Sequence, residues 1–136
     1  MTILNVYLNF RDNARAAMEH YQSVLGGELD VSEFSQFPEM GVEEGEQHLV
    51  MHAQLTTEDG LVLMGADTPS HMDYVPPAGF AVSISGEDED RLQAVWDALA
   101  EGGSVTMPFD TPPWGGRFGM LTDKFGIDWL VSLNAS

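Results

Sequence analysis

The feature that most constrains this chain is that one pattern occurs in it twice. Met1 to Phe10 alternates, with Leu4, Val6, Leu8 and Phe10 on one side and Asn5, Tyr7 and Asn9 on the other, as a half-buried strand does. Asp12 or Asn13 then offers a helix cap, and Ala14, Ala17, Met18, Tyr21, Val24 and Leu25 recur at helical spacing until Gly26-Gly27 stops the run. Strand-like segments follow at 28–36, 49–56 and 61–66. The order then restarts. Phe80, Val82 and Ile84 alternate with Ala81, Ser83 and Ser85, and Glu87 to Asp90 place carboxylates where a helix dipole favours them. Leu92, Val95, Trp96 and Leu99 form a second apolar stripe, Gly102-Gly103 ends it, and strand-like segments follow at 104–109, 117–122 and 127–133. Tyr21 and Trp96 lie 75 residues apart and the two Gly-Gly stops 76 apart, so the spacing predicts an internal βαβββ duplication.

One such unit alone leaves a sheet face and a strand edge uncovered. The expected solution is α+β: two βαβββ modules forming a cup-shaped, mainly antiparallel eight-stranded sheet with the helices outside. Residues 1–66 form the first module, the Pro-rich stretch at 67–78 a linker, and 79–136 the second module, all within a single domain of 136 residues. The strand faces turned away from the helices then carry Asn5, Tyr7 and Asn9, with His52 and Gln54 from the third strand. Such a polar row is costly in a dry core but ordinary in a ligand pocket; the alternative is a plain solvent-facing sheet. The segment 37–48 (FPEMGVEEGEQH) is too long and polar for a tight turn, which leaves a flap or a surface loop.

Charge and composition narrow the function. Five basic residues against 22 acidic ones give a net charge of −17, which repels phosphate backbones and anionic headgroups, so nucleic-acid and membrane-surface roles are not expected. The acidity fits a salty cytoplasm or simply an acid-rich proteome. The chain has no cysteine, which removes disulfides, thiolate ligands and a cysteine nucleophile. A basic leader and a membrane-length apolar run are both missing from the sequence, so a cytoplasmic location is expected.

Several local words then resemble a known family. YLNF at Tyr7–Phe10, AMEHYQSVLGG at Ala17–Gly27, HA at His52-Ala53 and PWGGRFGMLTDKFGIDWLV at Pro113–Val131 are similar to the vicinal-oxygen-chelate superfamily, the fold of glyoxalase and bleomycin-resistance proteins, and within it to the PhnB-like group. In the last word Trp114, Gly119, Asp123, Phe125, Gly126 and Trp129 carry the likeness. It also has a structural reading, because DKFG is a turn signal and Trp129 and Val131 suit a packed final strand.

The resemblance implies metal ligands, His or Glu, on the first, fourth, fifth and last strands, converging within about 2.0–2.2 Å of one divalent ion. Carried over, those positions fall on Asn5, on Met64 or Gly65, on Phe80 or Ala81, and on Leu130 with Asp128 two residues earlier. None is His or Glu, so no metal and no cofactor is expected. His48 and His52 are too far apart along a strand to chelate, about 13 Å; His20 belongs to the wet face of the first helix and His71 to the linker. Asp67 either orients His52 or caps the linker. Arg117 offers an anion contact or pairs with a surface carboxylate.

The expectation is therefore a metal-free protein that holds a small molecule between Asn5, Tyr7, Asn9, His52, Gln54, Trp114 and Arg117. The alternative is an enzyme of glyoxalase, epimerase or dioxygenase type that uses a divalent metal or His52 as general base. The resemblance also implies a homodimer, for which exposed strand edges give a motive.

Overall fold

The computed structural model describes residues 2–134. Among them are eight strands and two α-helices in the order β1 (Val6–Phe10), α1 (Ala14–Leu25), β2 (Glu28–Glu33), β3 (Val50–Thr56), β4 (Val62–Asp67), β5 (Val82–Gly86), α2 (Glu89–Ala100), β6 (Ser104–Asp110), β7 (Arg117–Thr122) and β8 (Asp128–Leu133). The expected α+β class and the paired βαβββ modules are both present. The strands form two four-stranded sheets, ordered β1-β4-β3-β2 and β5-β8-β7-β6. In each, the first and last strands of the module pair in parallel and the remaining pairings are antiparallel. The chain divides into two compact units between Pro76 and Pro77.

The duplication has a measurable offset. β5 and β6 begin 76 positions after β1 and β2, but β8 begins only 66 after β4. The ten missing positions are lost between the second and third strands: 16 residues (34–49) join β2 to β3, whereas six (111–116) join β6 to β7. The expected strand at 28–36 therefore ends early. The pairing register shifts at Ser32/Glu33, and Phe34–Gln36 turns into a 3-10 helix in which the Gln36 side chain accepts from the Glu33 amide. The 37–48 stretch carries two more 3-10 turns, at Pro38–Met40 and Glu44–Glu46.

Each twelve-residue helix is too short to persist alone and is held by its buried stripe. In the first unit Ala14, Ala17, Met18 and Tyr21 pack on the face made by Leu8, Phe10, Ala53, Leu55 and Leu63. In the second, Leu92, Val95, Trp96 and Leu99 cover Phe109, Leu121, Trp129 and Val131. Full burial of each large apolar side chain contributes about 1.5–3 kcal/mol.

Both first strands start two or more residues later than the alternation predicts. Pairing with β4 begins at Val6 and with β8 at Val82, so Leu4 (97% exposed) and Phe80 fall outside the ladders. The expected first residue, Met1, lies outside the described residues.

The helix caps differ from each other. Asp88 caps α2 locally, accepting from the Arg91 amide at 3.1 Å. Asn13 occupies the cap position of α1 but makes no side-chain cap bond. Asp67, at the end of β4 and 6% exposed, replaces it: Oδ1 accepts from the Ala14 amide and Oδ2 from the Val50 amide, both at 2.9 Å. Asp67 thus neither orients His52 directly nor caps the linker, because both its oxygens hold backbone amides of α1 and β3.

Candidate functional site

Alternation along the first sheet turns Leu8, Phe10, Ala53, Leu55 and Leu63 toward α1, which leaves the intervening residues on the opposite, open face. The registers arrange them in rows across the strands. Tyr7 of β1 lies beside Met64 of β4, Met64 beside Gln54 of β3, and Gln54 beside Asp30 of β2. In the neighbouring row Asn9 lies beside Ala66, and His52 beside Ser32. Tyr7, Asn9, His52 and Gln54 therefore share one face. Sequence reading missed Asp30 and Ser32, although the alternation of Glu28, Asp30 and Ser32 with Leu29 and Val31 carries the signal, and it named Met64 only as a position where the resemblance places a metal ligand.

Two of these side chains meet. The Tyr7 hydroxyl and His52 Nδ1 are hydrogen-bonded at 3.1 Å, and the two rings stack with centroids 5.6 Å apart and planes 28° apart. The contact reaches diagonally over β4, since Tyr7 stands on β1 and His52 on β3. Tyr7 is 43% exposed and His52 half-buried, so the pair stands at the surface of this unit. Burial pushes the Tyr7 phenol above its ordinary pKa, keeping it protonated and able to donate or accept. In a neutral imidazole one ring nitrogen donates and the other accepts, so Nε2 takes the role opposite to that of Nδ1 toward the Tyr7 hydroxyl.

The other candidates are placed differently. Asn5 is exposed and immediately precedes β1. Trp114 is 75% exposed in the turn between β6 and β7, where Gly115 and Gly116 adopt positive φ. Arg117 is in step with the buried Gly119 and Leu121, two and four residues on, and so lies on the α2 side of its sheet. Its Nη2 donates to the Phe109 carbonyl at 2.8 Å, its guanidinium carbon sits 4.1 Å from the Phe109 ring centroid, and Nη1 is 3.7 Å from a Glu89 carboxylate oxygen. His48 and His71 are exposed, while His20 is half-buried with its ring 5.9 Å from that of Tyr21, rather than on a fully wet face.

The closing word of the chain is structural. Asp123, buried, accepts from the amides of Phe125 and Ile127 through Oδ1 and from the Trp129 indole through Oδ2. At the corresponding hairpin of the first unit Thr57 Oγ1 accepts from the Leu61 amide.

A divalent ion does not fit the residues present. The positions where the resemblance places ligands carry an amide (Asn5), a thioether or glycine (Met64, Gly65) and apolar groups (Phe80, Ala81, Leu130), while the Asp128 carboxylate accepts from Thr122 Oγ1 at 2.6 Å. Among the described residues no group of three His, Asp or Glu side chains comes together to hold a metal.

Known proteins share this arrangement. Protein PA1353 from Pseudomonas aeruginosa is 32% identical, with a TM-score of 0.86 over 98% of this chain and 100% of that one. A PhnB protein from Bacillus cereus is 25% identical, with a TM-score of 0.75 over 98% and 100% of the two chains. Protein YjdN of Escherichia coli K12 is 26% identical across 96% of this chain and 94% of its own. The sequence model for glyoxalase, bleomycin resistance protein and dioxygenase matches residues 3–131. With two βαβββ units beneath that match, the chain belongs to the glyoxalase/bleomycin resistance protein/dioxygenase superfamily.

Proposed function

We propose that this protein binds a small organic molecule on the open face of its first sheet, without a metal ion, through Tyr7, Asn9, His52 and Gln54. The observation that carries this reading is the Tyr7–His52 pair: a polar, partly exposed hydrogen bond on a strand face that the fold has no packing reason to make polar. The donor set at the four expected ligand positions supports the metal-free part. The working form we propose is a cytoplasmic homodimer. Among the described residues no helix is long and apolar enough to cross a membrane.

A second reading is favoured by the same contact. A hydrogen bond at Nδ1 orients an imidazole, which is what a general base needs. An enzyme of glyoxalase or epimerase type using His52 in that role fits the superfamily, whose members include both binding proteins and enzymes.

A thermal-shift screen of small polar and aromatic compounds tests the first reading. A true ligand at a hundred times its Kd adds about 2.7 kcal/mol to stability, and His52→Ala should abolish the shift. Hits that survive His52→Ala and Tyr7→Phe would move the site off this face. A stoichiometric divalent metal in protein purified without chelators would overturn the metal-free part. Hits that emerge chemically altered favour the enzyme.

A further inference from the structure

We infer that the Tyr7–His52 pair recognises a weakly acidic hydroxyl, a phenol or an enol, through Nε2 of His52; this rests on the reading of the first-sheet face as the binding site.

The pair leaves one group for a ligand. Nδ1 is engaged by the Tyr7 hydroxyl at 3.1 Å, and no described residue makes a hydrogen bond to Nε2. Three charge classes can be compared on this face. An anion finds no fixed cation, because none of β1, β2, β3 or β4 contains Lys or Arg, and the chain as a whole carries −17. A cation finds one carboxylate in the Tyr7 row, Asp30, but it is separated from Tyr7 by Gln54 and Met64 across the sheet. A neutral O–H finds what it needs. The Tyr7 hydroxyl can donate or accept, and in the tautomer whose Nδ1–H donates to the Tyr7 oxygen Nε2 is free to accept the ligand's proton. A hydroxyl on an unsaturated frame makes a stronger donor than an aliphatic alcohol, and its planar carbons can lie against the exposed Tyr7 ring.

The titratable groups on this face are Tyr7 from β1, Asp30 and Glu28 from β2 and His52 from β3, while β4 contributes Met64 and Ala66 there. Binding by acceptance at Nε2 requires neutral imidazole.

Three matched probes test this: 4-chlorophenol, 4-chloroanisole, which lacks the proton, and 4-chlorobenzoate, which is an anion. Equilibrium dialysis should show 4-chlorophenol binding about tenfold more tightly than either of the others near neutral pH, the size of one hydrogen bond. The preference should vanish in His52→Ala and weaken in Tyr7→Phe, with circular dichroism confirming that both variants fold. Equal binding of 4-chloroanisole would overturn hydroxyl recognition yet leave a ligand face in place. Preference for 4-chlorobenzoate would also overturn it, in favour of an imidazolium site. If none of the three binds while screening hits still depend on His52, the hydroxyl inference fails and the binding reading stands; if no hit depends on His52, both fail.

Discussion

The two units carry different chemistry at matched positions of the same scaffold. In the first, the row across the open face is Tyr7, Met64, Gln54 and Asp30; in the second, the corresponding row is Ser83, Leu130, Met120 and Met107. His52 of the first matches Phe118 of the second, 66 positions later as β8 is from β4. The helix-facing side is apolar in both units, because that side must be buried whatever the protein does. The open side is released from that demand, and there the copies have diverged. The duplication thus preserves the residues that fold the chain, while the candidate site sits where it does not constrain them.

The connections diverge in the same place. The ten extra residues of the first unit lie between β2 and β3 and end just ahead of His52, whereas the second unit crosses the same gap with six residues. The longer segment is tied down at several points. Phe34 and Leu49 are buried at its ends, and the Glu46 carboxylate accepts from the Ser70 amide at 3.0 Å and the Ser70 hydroxyl at 2.6 Å. In the second unit the short turn is followed by Arg117, locked over Phe109, whose ring stacks on Trp96 with centroids 5.3 Å apart.

The comparison can be broken most sharply at the caps. Asp67→Ala strands the Ala14 and Val50 amides, at roughly 1–3 kcal/mol for each buried donor, whereas Asp88→Ala removes one exposed cap and should cost about 1 kcal/mol. Urea denaturation of both variants measures the gap, and equal losses would mean that Asp67 is not the working cap of α1. The glycine stops come next. A Cβ on Gly27 would sit 2.4 Å from the Thr56 carbonyl oxygen and one on Gly103 2.3 Å from that of Thr122. Each alanine variant should cost roughly 1–3 kcal/mol by overpacking, with Gly27 the worse because its φ of +97° adds strain. A tolerated Gly103→Ala alone would show that the second copy has lost this constraint.

The smallest effect is a pH dependence peculiar to the first unit. The Ser70 hydroxyl holds the Glu46 carboxyl below its ordinary pKa, and His71 and Arg11 act in the same direction. A depressed folded-state pKa means the contact stabilises above the ordinary carboxylate range and is lost as pH falls through the lowered value. Hydrogen exchange at the Ser70 amide, corrected for its intrinsic pH dependence, should accelerate over that acid window. Glu46→Gln should abolish the pH step, and the turn at 111–116 should show none.

Much of the scaffold was legible because its signals are local and repeated. Periodicity and paired glycines each report on a few neighbouring residues, and their recurrence at 75–76 positions identifies the copy. The strand ends were misread at Leu4 and Phe80, where alternation continues past the last residue that a partner strand can pair with. The polar set on the first sheet was partly legible, since alternation along β1 and β3 groups Tyr7 with Asn9 and His52 with Gln54. What alternation could not say was which of those side chains touch, or that Arg117 would be held by Phe109 and Glu89.

The sequence by itself determined the βαβββ order, its repetition and the apolar faces, because each follows from residue type and spacing along one chain. Tertiary structure alone decided that Asp67 caps a helix 53 residues upstream and that a phenol on β1 meets an imidazole on β3, 45 residues on. Those contacts depend on the parallel pairing of β1 with β4, which sets distant residues side by side, and no local period encodes that register.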